Sequence, residues 1–552
     1  LPYPQQAVEA IWREMMKSHA HDSIGGCNSD RVNAMVKARL LSGQEKASQL
    51  YELNMQMLAK GISAQQQGKK ILVFNALPYT RDGLVALTLY LPGADFRIVD
   101  GDGQTCRWQI LRETSQDMSV IVQELSNSSE AVFYRKCEIL LEASALPACG
   151  YTTFYLQEGR ACDFAAPSSA DSALENPWLR LTLEQGRIVL LDKRSGKRWA
   201  DLIQLVDGGD AGDTYNYSPP EIDWRISAEG ALVSVAWQQG ALADTLALSW
   251  SIAAPLTLED RLRRQRNARL DVNMLITLEH QRPVLDVQVH VNNTLRDHRL
   301  QVEIPTDIAQ SVHFADQPFG LIHRDNRPST LDVWQQENWS EAPTALWPMQ
   351  SLVMMHDGQQ GMSVVTEGLR EYEIPEERPS VLAITLLRSV GWLGKAGMPW
   401  RPGRASGMAL PSPDSQIAGE FTARFALIPL HDGESPNFWR EVEAWRTPAI
   451  GWLDSGWARF KTNPSEQTFP AAYSLLRWDT ALHFSTLKKA QYEEALILRG
   501  WNPGSQPVSS LTPETVDDLC EVTLAEQPCA LPRTCVPACA PVTWRIASNS
   551  RG

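Results

Sequence analysis

Leu285-Asp286-Val287-Gln288-Val289-His290-Val291 is the stretch that decides the fold of this chain. Its apolar residues recur at every second position, the period of a strand with one buried face. Leu179-Arg180-Leu181-Thr182-Leu183 repeats the pattern, and Val381 to Leu387 forms another strand-like run. Between Leu174 and about Pro429 such runs are joined by turns, without alternating helices. That predicts antiparallel sandwich architecture rather than a parallel α/β sheet.

The same period extends outward on both sides. Upstream, Ile71 to Phe74, Leu84 to Leu91, Val120 to Val122 and Tyr151 to Leu156 read as strands, and Asp100-Gly101-Asp102-Gly103 reads as a hairpin turn. Ala161 to Leu174 is small, polar and Pro-bearing, which predicts a linker. Downstream, Asn437 to Trp445 reads as a short helix and Ala495 to Arg499 as a strand. The first sixty residues differ. Val8, Ile11, Trp12, Met15 and His19 recur at helical spacing, Pro4 suits a first turn, and Gly25-Gly26 would stop that helix. Asn28 or Ser29 can cap a second helix, with Val32, Met35, Val36, Leu40, Ala47, Leu50, Leu53 and Met57 on its apolar face and Gly61 at its end. The expected class is therefore mainly β with an N-terminal α-helical part. A helical hairpin, an incomplete three-helix bundle, is followed by antiparallel β-sandwich domains. The expected divisions are 1–65, 66–160, 161–430 and 431–552.

Bulk composition narrows the function. The size corresponds to roughly three to four domains, and 43% hydrophobic residues can fill them. A net charge of −14 argues against nucleic acid or an anionic membrane as the main partner, since both need a positive field. No apolar run is long enough to span a bilayer. The nine cysteines, Cys162 among them, are odd in number and irregularly spaced, which fits reduced thiols in a cytoplasm better than a disulfide framework.

Chemistry-bearing residues concentrate in Ser18-His19-Ala20-His21-Asp22-Ser23-Ile24-Gly25-Gly26. A neutral imidazole is a good zinc ligand, and a neighbouring carboxylate can hold a hydroxyl. His21 and Asp22 diverge on one turn, so they would do two jobs. His19, two residues from His21, is expected to be packed or to act behind it. The alternative is a polar helix end with Asp22 in a local turn. One imidazole is not a zinc centre, which needs about three protein ligands. A second concentration, Asp210-Ala211-Gly212-Asp213-Thr214-Tyr215-Asn216-Tyr217-Ser218-Pro219-Pro220, joins carboxylates and phenols in a Gly/Pro-bounded loop. It can hold sugar hydroxyls, or be a polar turn before an aromatic strand. Arg388, closing the strand Leu382 to Leu387, can reach a ligand or be a strand-end charge. Of the 19 tryptophans, clusters such as Trp334/Trp339/Trp347, Trp392/Trp400 and Trp439/Trp445/Trp452/Trp457 could stack on sugars, but most are expected to pack cores. No P-loop, nucleophile elbow or dinucleotide fingerprint is present.

Taken in order, these segments resemble the α-mannosidases of glycoside hydrolase family 38. The Ser18–Gly26 run resembles that family's His-Asp motif. Val73-Phe74-Asn75-Ala76-Leu77 looks like the entry to its first β domain. Leu174-Glu175-Asn176-Pro177-Trp178-Leu179-Arg180 and Leu191-Asp192-Lys193-Arg194-Ser195-Gly196 look like the opening of its large sandwich. Gly212-Asp213-Thr214-Tyr215-Asn216-Tyr217-Ser218-Pro219 is similar to the bacterial form of its active-site loop. Glu367-Gly368-Leu369-Arg370-Glu371-Tyr372 and Asn437-Phe438-Trp439 follow in the expected order. The nearest resemblance is to the bacterial mannosylglycerate hydrolase branch.

The resemblance implies a mutarotase-like supersandwich over 161–430 and a retaining zinc glycosidase acting on α-mannosides, mannosylglycerate or its 6-phosphomannosyl form. It implies zinc held by two His and two Asp, with His21 as the one ligand of the four present here. Asp22 would hold sugar hydroxyls, Tyr215 would stand near the reacting sugar, and Asp213 would lie beside it. The remaining ligands, the nucleophile and the acid/base belong to an N-terminal β/α domain in that family. A site so close to Leu1, and two helices with an apolar face to cover, lead us to expect that an upstream part is missing and that this portion alone is inactive. A cytoplasmic protein and a homodimer are implied. The rival expectation is a non-catalytic carbohydrate-binding scaffold of β-sandwiches.

Overall fold

The computed structural model describes residues 3–93, 95–119, 131–159, 172–431, 435–455, 468–509, 519–531 and 533–547. The expected strand at Val120–Val122, most of the linker at 161–174, Cys162 and Trp457 lie outside the described residues.

The fold is mainly β, and its strand pairs in the named sheets are antiparallel, as expected. A nine-stranded sheet runs in the order Leu232–Gln238, Ala243–Ala254, Ala268–Glu279, Leu285–Asn293, Gly419–His431, Gln360–Glu367, Leu352–His356, Val312–Gln317 and Gly320–Asp325. Along Leu285–Asn293 burial alternates: Leu285, Val287, Val289 and Val291 are buried, while Gln288 is exposed. Each such side chain removed from water stabilises the fold by about 1.5–3 kcal/mol. A six-stranded sheet faces it, in the order Ile226–Ser227, Gln204–Gly209, His298–Pro305, Val381–Ser389, Glu371–Glu373 and Leu346–Pro348. Leu300, Val302, Ile304, Leu382 and Ile384 meet the larger sheet in one shared core.

The opposite face of His298–Pro305 is polar yet buried, so its charges must be paired. Glu303 is held by Arg225 and Arg378, and Arg299 by Glu373. In the neighbouring strand, Gln301 pairs with Thr385 but Leu300 with Leu387, leaving Leu386 as an extra residue. That bulge changes the strand's parity. Thr385 and Arg388, an odd spacing apart, both come to stand opposite polar-face residues, Gln301 and Arg299.

The N-terminal helices correct one expectation. The first helix, α1, is Gln5–Lys17 and does not run on to Gly25. The Ser18 hydroxyl donates back to the Glu14 carbonyl, which competes with continued helical pairing, and Ala20 turns extended at ψ 140°. His21–Gly25 is a separate single turn, α2, closed by Gly26 in the left-handed region at φ 77°. Ser29 stands at the N-cap of α3, Asp30–Gly61, without a side-chain cap bond. Pro4 is the N-cap residue of α1, one position before its first turn. Trp12, Met16, Val32, Met35, Leu40 and Leu41 are exposed, so the hairpin leaves an apolar face open. No helix among the described residues is long and apolar enough to cross a membrane.

The last block divides between two sheets. After the helix Pro436–Arg446, Ile450–Leu453 pairs with Lys69–Asn75, and Ala472–Ser474 pairs with Gly150–Glu158, so both join the sheet of the 66–160 region. His483–Lys489, Ala495–Trp501, Pro541–Ala547 and Leu519–Glu521 then form a sheet of their own.

Candidate functional site

The loop 210–220 leaves the strand Gln204–Gly209 and folds around two buried carboxylates. Asp213 accepts the Tyr215 and Asn216 main-chain N–H groups at 3.0 and 2.9 Å on one oxygen. Its other oxygen takes the Lys395 N–H at 2.8 Å and the guanidinium of Arg401, which also holds the Asn216 side chain. Asp210 receives Arg388 Nε at 2.7 Å, and the same guanidinium caps the Asp213 carbonyl at 3.1 Å. Gly212 is required here: a Cβ would fall 2.1 Å from the Asn216 carbonyl oxygen. Behind the loop, Arg299 lies 3.7 Å over the Tyr217 ring and Trp400 meets that ring edge-on at 5.5 Å. The turn is thus rigid, with each buried charge paired.

Tyr215 is among the loop residues that stay partly exposed. It is half-buried, and its phenol pKa is raised, first by burial and then by the nearby carboxylates of Asp22 and Asp213. It therefore stays protonated at neutral pH, a hydrogen-bond donor with a flat ring. The N-terminal motif reaches the same place. Cys27, just after α2, donates its thiol to the Thr214 carbonyl at 3.4 Å. Asp30, in the first turn of α3, accepts the Ser412 hydroxyl at 2.7 Å. These ties bring His21 and Asp22 to the surface that Tyr215 lines. The His21 side chain is 95% exposed and Asp22 51%, with Nε2 3.5 Å from Oδ1.

The predicted residues therefore separate. His21, Asp22 and Tyr215 converge at an open face. Asp213 and Arg388 are spent on internal hydrogen bonds and fix the loop. His19 is exposed rather than packed, because the chain breaks at Ser18 before the helix reaches it. Most tryptophans do pack cores, as Trp199, Trp439, Trp445 and Trp478 illustrate, whereas Trp392 is 43% exposed beside the loop, its carbonyl accepting the Thr214 N–H at 3.1 Å. His298 and His313 are buried and bonded on both ring nitrogens. Sequence reading missed Arg401, Lys395 and Cys27. The one available signal was the Gly/Pro-rich run at 391–411, whose density of turn residues marks a functional loop.

A zinc ion would find one donor here. Among the described residues no three His, Cys, Asp or Glu side chains stand together so as to hold a metal. His21 with its neighbour Asp22 does not satisfy a tetrahedral site, so this chain's described residues do not by themselves fit a zinc centre.

Comparison with known proteins gives four likenesses. Residues 174–414 match the model of the glycosyl hydrolases family 38 C-terminal domain. A Halalkalibacterium halodurans protein, provisionally named mannosylglycerate hydrolase, is 24% identical over 542 residues, 90% of this chain but 57% of its own length. The crystal structure of an α-mannosidase from Enterococcus faecalis V583 shares the fold, with a TM-score of 0.80 at 21% identity, over 99% of this chain and 64% of that one. A second Enterococcus faecalis structure, of a protein in glycosyl hydrolase family 38, gives 0.81 at 20% identity over 99% and 66%. The chain thus spans somewhat over half the length of the curated relative it matches.

Proposed function

We propose, from the match of residues 174–414 to the model of the glycosyl hydrolases family 38 C-terminal domain, that this chain is the sandwich-bearing portion of an α-mannoside hydrolase. In this reading the face of His21, Asp22 and Tyr215 is one wall of its sugar site. The observation that carries it is the meeting of the His21-Asp22 turn with the Tyr215 loop through the Cys27–Thr214 bond. Two segments some 190 residues apart in sequence converge at an open surface bearing a carboxylate, a phenol and an imidazole.

Each residue has a role within its reach. The half-exposed Asp22 carboxylate accepts from sugar hydroxyls. Tyr215 donates its proton to a sugar oxygen and offers its ring to the sugar's C–H face. Asp213, Arg401, Asp210 and Arg388 are positioning residues that hold Tyr215 at the rim. His21 is proposed as one donor to a zinc ion whose other donors lie outside the described residues. Zinc of that kind would polarise and orient sugar hydroxyls. A retaining mechanism needs two carboxyl groups about 5–5.5 Å apart across the glycosidic bond. We assign that pair to the part of the relatives' length that this chain does not span. Mannosylglycerate, or its 6-phosphomannosyl form, is the proposed substrate, supported by the name of the Halalkalibacterium halodurans relative. A cytoplasmic location is proposed from the free cysteines, and a homodimer from the family resemblance alone.

The test compares two samples, the complete gene product carrying this chain and these 552 residues alone. The complete product is expected to hydrolyse an aryl α-mannoside with release of the α-anomer, read by proton NMR, and Tyr215→Phe to slow it. The 552 residues alone are expected to give no turnover. Turnover by this chain alone would refute the placement of the carboxylate pair. Sugar binding without turnover by the complete product would favour the non-catalytic scaffold.

A further inference from the structure

Between Glu377 and Asp414 the sequence holds no acidic residue, yet it carries Arg378, Arg388, Lys395, Arg401 and Arg404. In a chain of net charge −14, a run of one sign needs a reason, since an ordinary soluble surface intersperses both signs. Three of the five are paired: Arg378 with Glu303, Arg388 with Asp210 and Arg401 with Asp213. Among the described residues Lys395 Nζ has only the Ala211 carbonyl, at 3.0 Å. Arg404 is exposed and has no hydrogen-bond or ion-pair partner among the described residues.

The segment that carries them wraps Tyr215. Its Leu393 carbonyl accepts the Thr214 hydroxyl at 2.8 Å. A Cβ on Gly407 would fall 2.6 Å from a ring carbon of Tyr215, so the Gly407 backbone lies directly against the phenol. Arg404 stands midway between Gly407 and Arg401, in a hairpin closed by the Gly397 N–H on the Gly403 carbonyl and by Arg401 on Ser406. Exposed Trp392 and Met408 (69% exposed) flank the same segment. Asp22, the negative group on the facing turn, would repel an anion, so an anion's favourable side is the 390–413 side.

We propose that the 390–413 segment is the anion-reading wall of this sugar site, with Arg404 taking a carboxylate or phosphate group carried by the substrate and Lys395 adding to its field. This rests on the sugar-site reading above. A guanidinium fork without a partner matches the paired oxygens of either group. The two sources of the charge, a carboxylate on the leaving group or a phosphate on the sugar, share that chemistry.

Calorimetry on the complete gene product separates them. Three sulfur-linked, hydrolysis-resistant ligands serve as probes: methyl α-thiomannoside, its 6-phosphate, and thio-linked mannosylglycerate. The expected result is tighter binding of one charged ligand than of the neutral one. Arg404→Glu should shrink that charged-to-neutral affinity ratio by roughly tenfold or more, Arg404→Lys should restore part of it, and added salt should narrow it. The ligand whose ratio moves identifies the source of the charge. A ratio that is the same in wild type and Arg404→Glu overturns the proposal while leaving the sugar site standing. Failure of all three ligands to bind overturns the sugar-site reading and this proposal with it.

Discussion

Asp213 accepts three main-chain N–H groups and one guanidinium while fully buried, and that satisfaction sets the shape of the Tyr215 loop. Truncation would leave Arg401 buried without its counter-charge. Asp213→Ala is therefore expected to cost about 3–5 kcal/mol of stability, measured by urea unfolding. A loss under about 1 kcal/mol would mean that the pair is not the pin of the loop. The residue types of the site were legible in the sequence; their division of labour was not. Asp213 and Tyr215 are two positions apart in one polar loop, and only tertiary hydrogen bonds turn one inward and leave the other at the rim. Arg401 was invisible because its partner lies 188 positions away.

The helix Pro436–Arg446 joins three parts of the chain through one side chain. Glu443 is buried, accepts the Tyr79 hydroxyl at 3.1 Å and the Phe484 N–H, and sits 3.0 Å from His483 Nδ1. Burial pushes its carboxyl up to about 7, against the downward pull of those donors and of Arg440 and Arg446. An acid with a raised folded pKa contributes stability that is full below its unfolded value, near 4.5, and is lost as pH rises through about 7. Gln at this position does not titrate. The stability of wild type relative to Glu443→Gln should therefore fall between pH 5 and pH 8, by about 2–3 kcal/mol, in paired urea titrations. Burial holds His483 neutral, its pKa down at about 3. A flat or rising difference would place the proton elsewhere. At this scale the strands were easiest to read, because Leu285–Asn293 writes its buried face into every second residue. The break at Ser18 and the bulge at Leu386 were not, since each depends on a hydrogen bond or a register that local periodicity does not encode.

Across the whole molecule, the two packed sheets form a platform, the polar face of the smaller one supports the 210–220 loop, and the N-terminal helices carry His21 and Asp22 to that loop's rim. The open apolar face of α1 and α3 borders the same motif, so the face of His21, Asp22 and Tyr215 and the uncovered surface are neighbours. The class of fold followed from strand period, from strands joined by turns without alternating helices, and from the helical spacing of the first sixty residues. The return of Ile450–Leu453 and Ala472–Ser474 to the first β region could not, because antiparallel partners are chosen by shape and burial and not by sequence distance. We propose that the exposed imidazole of His21 donates to a metal at this face. The most direct test is elemental analysis of the complete gene product beside its His21→Ala variant, with α-mannoside hydrolysis assayed on the same samples. The account predicts that zinc content and turnover fall together while the fold, read by circular dichroism, is kept. Full zinc occupancy in His21→Ala would contradict it.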